Sequence, residues 1–281
     1  MKSSRLPFVG FPALIALSAF SQAAVITFES ATLGNLASIG GSTNNPFSGQ
    51  DGWSASSSNN AGQVINTTTS GEYTGGKGLS GGAGTYIGAR GESVASGASH
   101  TISFDLRFGS GQEVGVGFWR DADTDGLFDQ NEVSAQFGVQ ADLAVPYAFG
   151  YRTAGFGTRG YSDGLGGTIG SGNGVAGNSG DWYHFDILIT PGIGDFDIVM
   201  SVRNLTTGTD IDFDSNVAGA TPFSFSLTSA QFGFAPQDAD GLFVRVTGAA
   251  TLDNLLVIPE PSTALLGGLG LLLVGRRRRQ S

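Results

Sequence analysis

The sequence predicts an all-β protein built as an antiparallel β-sandwich, and three observations carry that expectation. Apolar and polar residues alternate at period two in one segment after another, the signature of strands with one buried and one wet face. No segment between the two chain ends has the 3.6-residue periodicity of an amphipathic helix, so a parallel α/β arrangement lacks its crossovers. Glycine is abundant, with 46 residues among 281, and with serine and interleaved aromatics it reads as turns between short strands.

Residues 25–28 (Val-Ile-Thr-Phe) form an opening strand. Residues 38–91 are rich in Gly, Ser, Asn and Thr and hold Trp53 and two small apolar clusters, Val64-Ile65 and Tyr86-Ile87. They are expected to supply loops and short edge strands. From residue 99 onward the pattern sharpens. Ile102, Phe104, Leu106 and Phe108 alternate with Thr101, Ser103, Asp105 and Arg107. The same alternation recurs in Val114-Val116-Phe118, Tyr183-Phe185-Ile187-Ile189 and Phe196-Ile198-Met200-Val202. Phe223-Phe225-Leu227, Phe232-Phe234, 243–246 and 252–258 close the series. Strands of this size and spacing form a sandwich. The aromatic strand Asp181-Trp182-Tyr183-His184-Phe185 and the final strand Thr251-Leu252-Asp253-Asn254-Leu255 resemble concanavalin A-like, laminin-G-like jelly rolls over about residues 100–258. That resemblance implies a jelly roll and bears on fold rather than function.

The two ends carry an address. Lys2 and Arg5 precede a mostly apolar stretch, 6–20, and Ser21-Gln22-Ala23 offers small residues where a signal peptidase reads, predicting cleavage before Ala24. At the other end, Pro259-Glu260-Pro261 is followed by an apolar run, 264–275, and then by Arg276, Arg277, Arg278 and Arg279. An apolar segment partitions into lipid while four arginines resist crossing and stay cytoplasmic, a membrane stop. The run rises only about 18 Å as a helix, short of a hydrocarbon core of about 30 Å, so 258–263 must help span it or the segment is a transient stop. Motif, apolar helix and arginine cluster resemble the PEP-CTERM sorting signal, which implies recognition by an exosortase and cleavage near the motif. In that family such signals go with exopolysaccharide-producing Gram-negative bacteria. The expected organisation is therefore a signal helix over 1–23, one sandwich domain over 24–258 (loops and edge strands to 99, core strands from 100), and a sorting signal with a short membrane helix over 259–281. The expected route is an inner-membrane intermediate and then the cell surface or the exterior.

Charge narrows the partners. Lys2, Arg5 and the four terminal arginines account for six of the 14 basic residues, and Glu260 for one of the 24 acids, so the body carries 8 against 23, near −15. Nucleic acid and anionic lipid surfaces, which need basic patches, are not expected partners, whereas divalent cations are. There is no cysteine, which excludes thiol catalysis and leaves an exported domain without disulfides to be held by its core or by metal.

One constellation has definite chemistry. Asp121, Asp123, Asp125, Gly126, Leu127, Asp129 and Glu132 satisfy the calcium-loop template D-x-[DN]-x-[DN]-G-x₅-E. Calcium takes six to eight hard oxygen ligands, and carboxylates at alternate positions of a tight turn converge on one point. Leu127 would offer its carbonyl, Asp129 a direct or water-mediated contact, and Glu132 a bidentate carboxylate. The loop resembles those of EF-hands, but Val114–Phe118 and Ala135–Val139 on either side read as strands, so a hairpin connection rather than a helix–loop–helix is expected. An acidic turn without metal is the alternative, at the cost of crowding carboxylates that repel.

The remaining candidates are plainer. His100 and His184 are the only histidines. His184, mid-strand between Asp181 and Asp186, is expected to be a hydrogen-bonded structural residue, and no Gly-x-Ser-x-Gly elbow accompanies it. Trp53, Trp119, Tyr161 and Trp182 are candidates for stacking on sugar rings, with packing in the core as the default. The acids of 195–214 fit hairpin and edge positions. Glu29, Glu72, Glu92, Glu113 and Glu132 are the only glutamates of the body, and none sits in the Glu-x-Asp-x-x-Glu setting of laminarinase-type glycosidases. The expectation is a non-catalytic surface or matrix protein, stabilised by Ca²⁺ and binding polysaccharide through the sandwich, with exosortase and signal peptidase as processing partners. A secreted carbohydrate-active enzyme and a purely structural surface component are the alternatives.

Overall fold

The computed structural model describes residues 24–35, 50–60, 62–92, 94, 99–124, 128–140, 148–161, 177–214 and 221–260. The expected signal helix and C-terminal membrane helix lie outside them. The strands are β1 (Ala24–Ile26), β2 (Gly34–Asn35), β3 (Trp53–Asn60), β4 (Gln63–Asn66), β5 (Lys77–Ser80), β6 (Thr85–Gly91), β7 (Ser99–Arg107), β8 (Val114–Trp119) and β9 (Val133–Gln140). They continue with β10 (Ala148–Arg152), β11 (Arg159–Tyr161), β12 (Trp182–Pro191), β13 (Asp195–Asn204), β14 (Thr209–Asp210), β15 (Phe223–Thr228), β16 (Gly241–Thr247) and β17 (Thr251–Glu260).

They form two antiparallel sheets. One runs β14-β13-β12-β7-β17-β5-β4-β2, with β1 also paired to β17 and β15 to β13; the other runs β11-β10-β9-β8-β16-β6-β3. Of the strands within 38–91, β3 ends its sheet, as the polar composition suggests, whereas β4, β5 and β6 lie inside theirs. Their place is held by a few apolar side chains among glycines, above all Leu79 and Tyr86, both fully buried.

The period-two residues meet between the sheets. Phe104 and Phe185 face each other across β7 and β12 with ring centroids 5.0 Å apart, and Phe149 from the opposite sheet meets Phe185 edge-on at 5.4 Å. Val116, Phe137 and Val244 supply the facing layer. A second, smaller cluster of Ile87, Ala89, Trp119, Phe128, Val133 and Phe243 packs on the outer face of the seven-stranded sheet. Alternation alone would have left those positions to solvent.

The three tryptophans are corrected as sugar platforms. Trp53, Trp119 and Trp182 are 1%, 2% and 1% exposed, so their faces are already taken by protein. Trp182 stacks on Tyr73 at 3.8 Å, Trp53 packs against Phe28 and Tyr86, and Trp119 meets Phe128. An indole is large enough that burying it against another ring outweighs exposing it on a strand. The side chain of Tyr161 lies outside the described residues.

The first and last of the described residues meet at β17. Ala24 pairs with Val257 on one side, and on the other Pro259 pairs with His100 and Glu260 with Ser99 of β7. The first residue beyond the expected signal cleavage site and the first two residues of the Pro-Glu-Pro motif thus belong to one sheet.

Candidate metal centre

The acidic loop joins β8 to β9, which confirms strands on both flanks in place of EF-hand helices. Arg120 N donates to the Glu132 carbonyl at 3.1 Å, closing the hairpin at its base. The return leg is a 3₁₀ turn over Gln130–Glu132, in which Glu132 N donates to Asp129 O at 3.1 Å. That turn swings the Glu132 side chain back over the outgoing leg. Its Oε1 accepts from Ala122 N at 2.6 Å and from Asp123 N at 3.2 Å. Thr124, with φ 62°, makes the left-handed bend at the tip of the described part.

This wrapping brings carboxylate oxygens of Asp121, Asp123 and Glu132 within 4.8 Å of one another. Glu132 Oε2 is buried and has no hydrogen-bond partner. A buried carboxylate oxygen without a donor is costly, and a cation supplies what is missing. Asp121 N donates to Asp240 Oδ2 at 2.9 Å, which ties the loop to the approach of β16 and adds an acid that the local template does not contain. Asp129 is exposed, and Asp125 and Leu127 lie outside the described residues. The three acids that are placed fit a hard divalent ion.

A second charged cluster lies on the outer face of the ten-stranded sheet. His184 Nδ1 is 2.6 Å from Asp105 Oδ1, and its Nε2 is 3.3 Å from both Ser103 Oγ and Asp186 Oδ2. Asn254, held at φ 50° in the β-bulge of β17, donates to Asp105 Oδ2 at 2.7 Å. Ser103, His184 and Asp105 stand in the order of a hydrolytic triad, but the electrostatics oppose that use. The carboxylates of Asp105 and then Asp186 hold the imidazole proton against partial burial and push its pKa up to about 10. At neutral pH the ring is an imidazolium with both nitrogens donating, and it has no lone pair with which to take a proton from Ser103. A shallow cleft of about 320 Å³ beside it is lined by His184, Asp186, Arg203 and Asp210 among others. Arg203 is engaged there by Glu72 and Asp210 at 2.8 Å each.

This histidine sets a pH dependence. Its folded pKa of about 10 exceeds the usual 6.5, so its contribution is fully present below about pH 6.5 and is lost as pH rises through about 10. The urea midpoint of the wild type is expected to fall across that window, and His184→Gln is expected to be less stable at pH 6 with a flatter profile up to pH 10. Parallel profiles for the two proteins would deny the charge on His184.

Residues 257–279 match the PEP-CTERM protein-sorting motif. The matched stretch begins at Val257, the last core position of β17. A PEP-CTERM segment implies an exported protein that is processed at the membrane by an exosortase. Among the described residues no helix is long and apolar enough to cross a membrane. No curated protein is significantly similar to the chain. Solved structures with a related course include a PL-14 alginate lyase from Aplysia kurodai (7% identity, 84% of this chain, 100% of that one, TM-score 0.39). Peanut lectin (10%, 84%, 98%, TM-score 0.37) and lectin II from Ulex europaeus (10%, 77%, 94%, TM-score 0.37) have a similar course.

Proposed function

We propose that the protein is a non-catalytic component of the surface or extracellular matrix of a Gram-negative cell, exported through the inner membrane, sorted by its PEP-CTERM segment, stabilised by calcium and binding polysaccharide. The observation that carries the proposal is the motif at 257–279, joined without a linker to a sandwich whose surface is acidic. Two features support a non-catalytic role. The one triad-like arrangement among the described residues contains a protonated histidine, and no glutamate of the body lies in a laminarinase-type motif. Calcium is supported by the convergence of Asp121, Asp123 and Glu132 around a buried carboxylate oxygen that lacks a donor.

The test uses the full chain in a host with an exosortase. The wild type is expected outside the cell or on its surface, shortened at the C-terminus. Replacing Pro259-Glu260-Pro261 by three alanines is expected to leave an uncut chain in the inner-membrane fraction. The released protein is expected to bind a polysaccharide in affinity electrophoresis without shortening it. Equal release of both versions would remove the sorting role, and depolymerisation would make the protein an enzyme.

A further inference from the structure

One register row on the outer face of the ten-stranded sheet is charged from end to end. It crosses five strands as Asp253 on β17, Asp105 on β7, His184 on β12, Arg203 on β13 and Asp210 on β14. Directly opposed residues of neighbouring strands point to the same side, so these side chains share one face. The row runs from covered to open. At its β17 end Asp253 is buried against Tyr73, whose hydroxyl donates to Asp253 Oδ2 at 2.5 Å while its ring stacks on Trp182. Asp105 is buried beside it. From His184 onward the cover ends. The side chains of His184, Asp186, Arg203 and Asp210 are between 35% and 55% exposed and line the cleft of about 320 Å³. That volume lies at the lower end of the range of about 300–1,000 Å³ in which proteins take small ligands.

The walls of this cleft are fixed before anything enters. Asp105 holds His184 at Nδ1, and the Asn254 amide donates to Asp105 in turn. Glu72 clasps Arg203 at Nε and Nη2, at 2.8 and 2.9 Å, and Asp210 takes Nη1 at 2.8 Å. Side chains that are already immobile lose little freedom on binding. Hydrogen-bonding capacity is left over. A guanidinium has five N–H groups, of which Glu72 and Asp210 take three. A carboxylate accepts about four hydrogen bonds. Asp210 is engaged by Arg203, and Asp186 by His184 and Ser103, which leaves acceptor sites on both. Ile211 and Pro222 add apolar surface to the lining. The charges are mixed: the cations His184 and Arg203 stand among the acids Asp186 and Asp210. A ligand of either sign meets a like charge there, and an anion is also repelled by Glu72 and by a body near −15. An uncharged polyol meets no such opposition. Its hydroxyls donate to carboxylates and accept from cations, the two stronger kinds of hydrogen bond.

We propose that this cleft binds a neutral hexose unit of an extracellular polysaccharide, with Asp186 and Asp210 accepting from its hydroxyls, Arg203 donating to an oxygen of the sugar, and Pro222 and Ile211 against the apolar face of the ring. The inference rests on the polysaccharide-binding reading and narrows it to a site and a substrate class. The cleft is shallow, so a unit within a long chain enters it as readily as one at an end. A polymer of acidic sugars would bring its carboxylates against Asp186, Asp210 and Glu72.

The test is affinity electrophoresis of the released protein in gels holding laminarin, hydroxyethylcellulose, galactomannan or alginate. At least one of the three neutral polymers is expected to retard the protein, and alginate to leave its mobility unchanged. Asp210→Asn is expected to weaken the retention about tenfold, the loss of a hydrogen bond to a charged group. Asp195→Ala, at the other end of β13, is expected to lose nothing. Ser201→Trp gives a signature that a structural role would not. Ser201 is exposed on β13 and lines the cleft, so an indole there fills it while every bond that holds its walls stays in place. Strands accept aromatic residues well, so binding is expected to vanish at an unchanged melting temperature. This variant also decides the matter if Asp210→Asn fails to fold. Neutral-polymer binding undiminished by Ser201→Trp would overturn the site and leave the broader reading standing, as would binding of alginate alone. Retardation by none of the four polymers would overturn both.

Discussion

Phe185→Ala is expected to lower the stability of the sandwich by about 3–5 kcal/mol. Phe185 is fully buried, stacked on Phe104 within its own sheet and met edge-on by Phe149 from the other. It therefore fastens both layers at once. Truncation removes the transfer free energy of the ring and leaves a cavity lined by two aromatic faces, which β-sheet backbones cannot close by shifting. At about 2–4 °C per kcal/mol for a domain of this size, the melting temperature should drop by roughly 6–20 °C. Phe225→Ala, at a position only partly buried against the same core, should cost clearly less. Equal losses for the two would mean that the layers do not meet at Phe185.

Calcium should raise stability by about 2.7 kcal/mol at 100-fold excess over Kd, or roughly 5–11 °C in melting temperature. The gain is smaller at the ~0.1–1 mM affinities common in extracellular modules. The source is the repulsion among Asp121, Asp123 and Glu132, whose oxygens lie within 4.8 Å in the folded loop and are dispersed in the unfolded chain. Asp123→Ala and Glu132→Gln should abolish the calcium response, and Asp195→Ala should leave it intact. Gln is the better replacement at 132, because its amide oxygen can still accept from Ala122 and Asp123 while the charge is gone. Without calcium the Glu132→Gln protein should equal or exceed the wild type in stability. Magnesium should substitute poorly, since it demands octahedral geometry and keeps its water. Identical melting curves in calcium and in excess chelator, with no heat of binding, would reduce the loop to an acidic turn.

What the sequence discloses follows the range of the interactions involved. The alternation in 102–108, 183–189 and 196–202 is local, and β7, β12 and β13 fall where it lies, with the alternate residues inside. The metal template is local too, which is why Asp121, Asp123 and Glu132 could be named together. Asp240 could not, because it reaches the loop from 119 residues away. The row of glycines across β8, β9 and β10 is invisible for the same reason. Gly115, Gly138 and Gly150 become neighbours only through the registers of three separate strands, and in the chain each looks like an interruption. Trp119 and Phe243 show the opposite failure: both occupy positions that alternation assigns to solvent, and both are buried in the cluster outside the seven-stranded sheet. Tryptophan spacing along a strand carries no information about whether another layer covers that face.

The ladder at the end of β17 sets a race between folding and cutting. A peptidase holds its substrate as an extended strand against its own edge, using the same backbone groups that a sheet uses. Here Glu260 is paired to Ser99 and Pro259 to His100, so an enzyme that cuts at the motif competes with β7 for one stretch of backbone. Pro259 has no N–H, which thins the ladder at that point and lets the last pair open without unzipping the strand behind it. Upstream the grip is stronger, because Val257 is clasped by Ile102 on one side and Ala24 on the other. Fraying should therefore halt at the proline, and a cut made there releases a sandwich whose final strand is already closed.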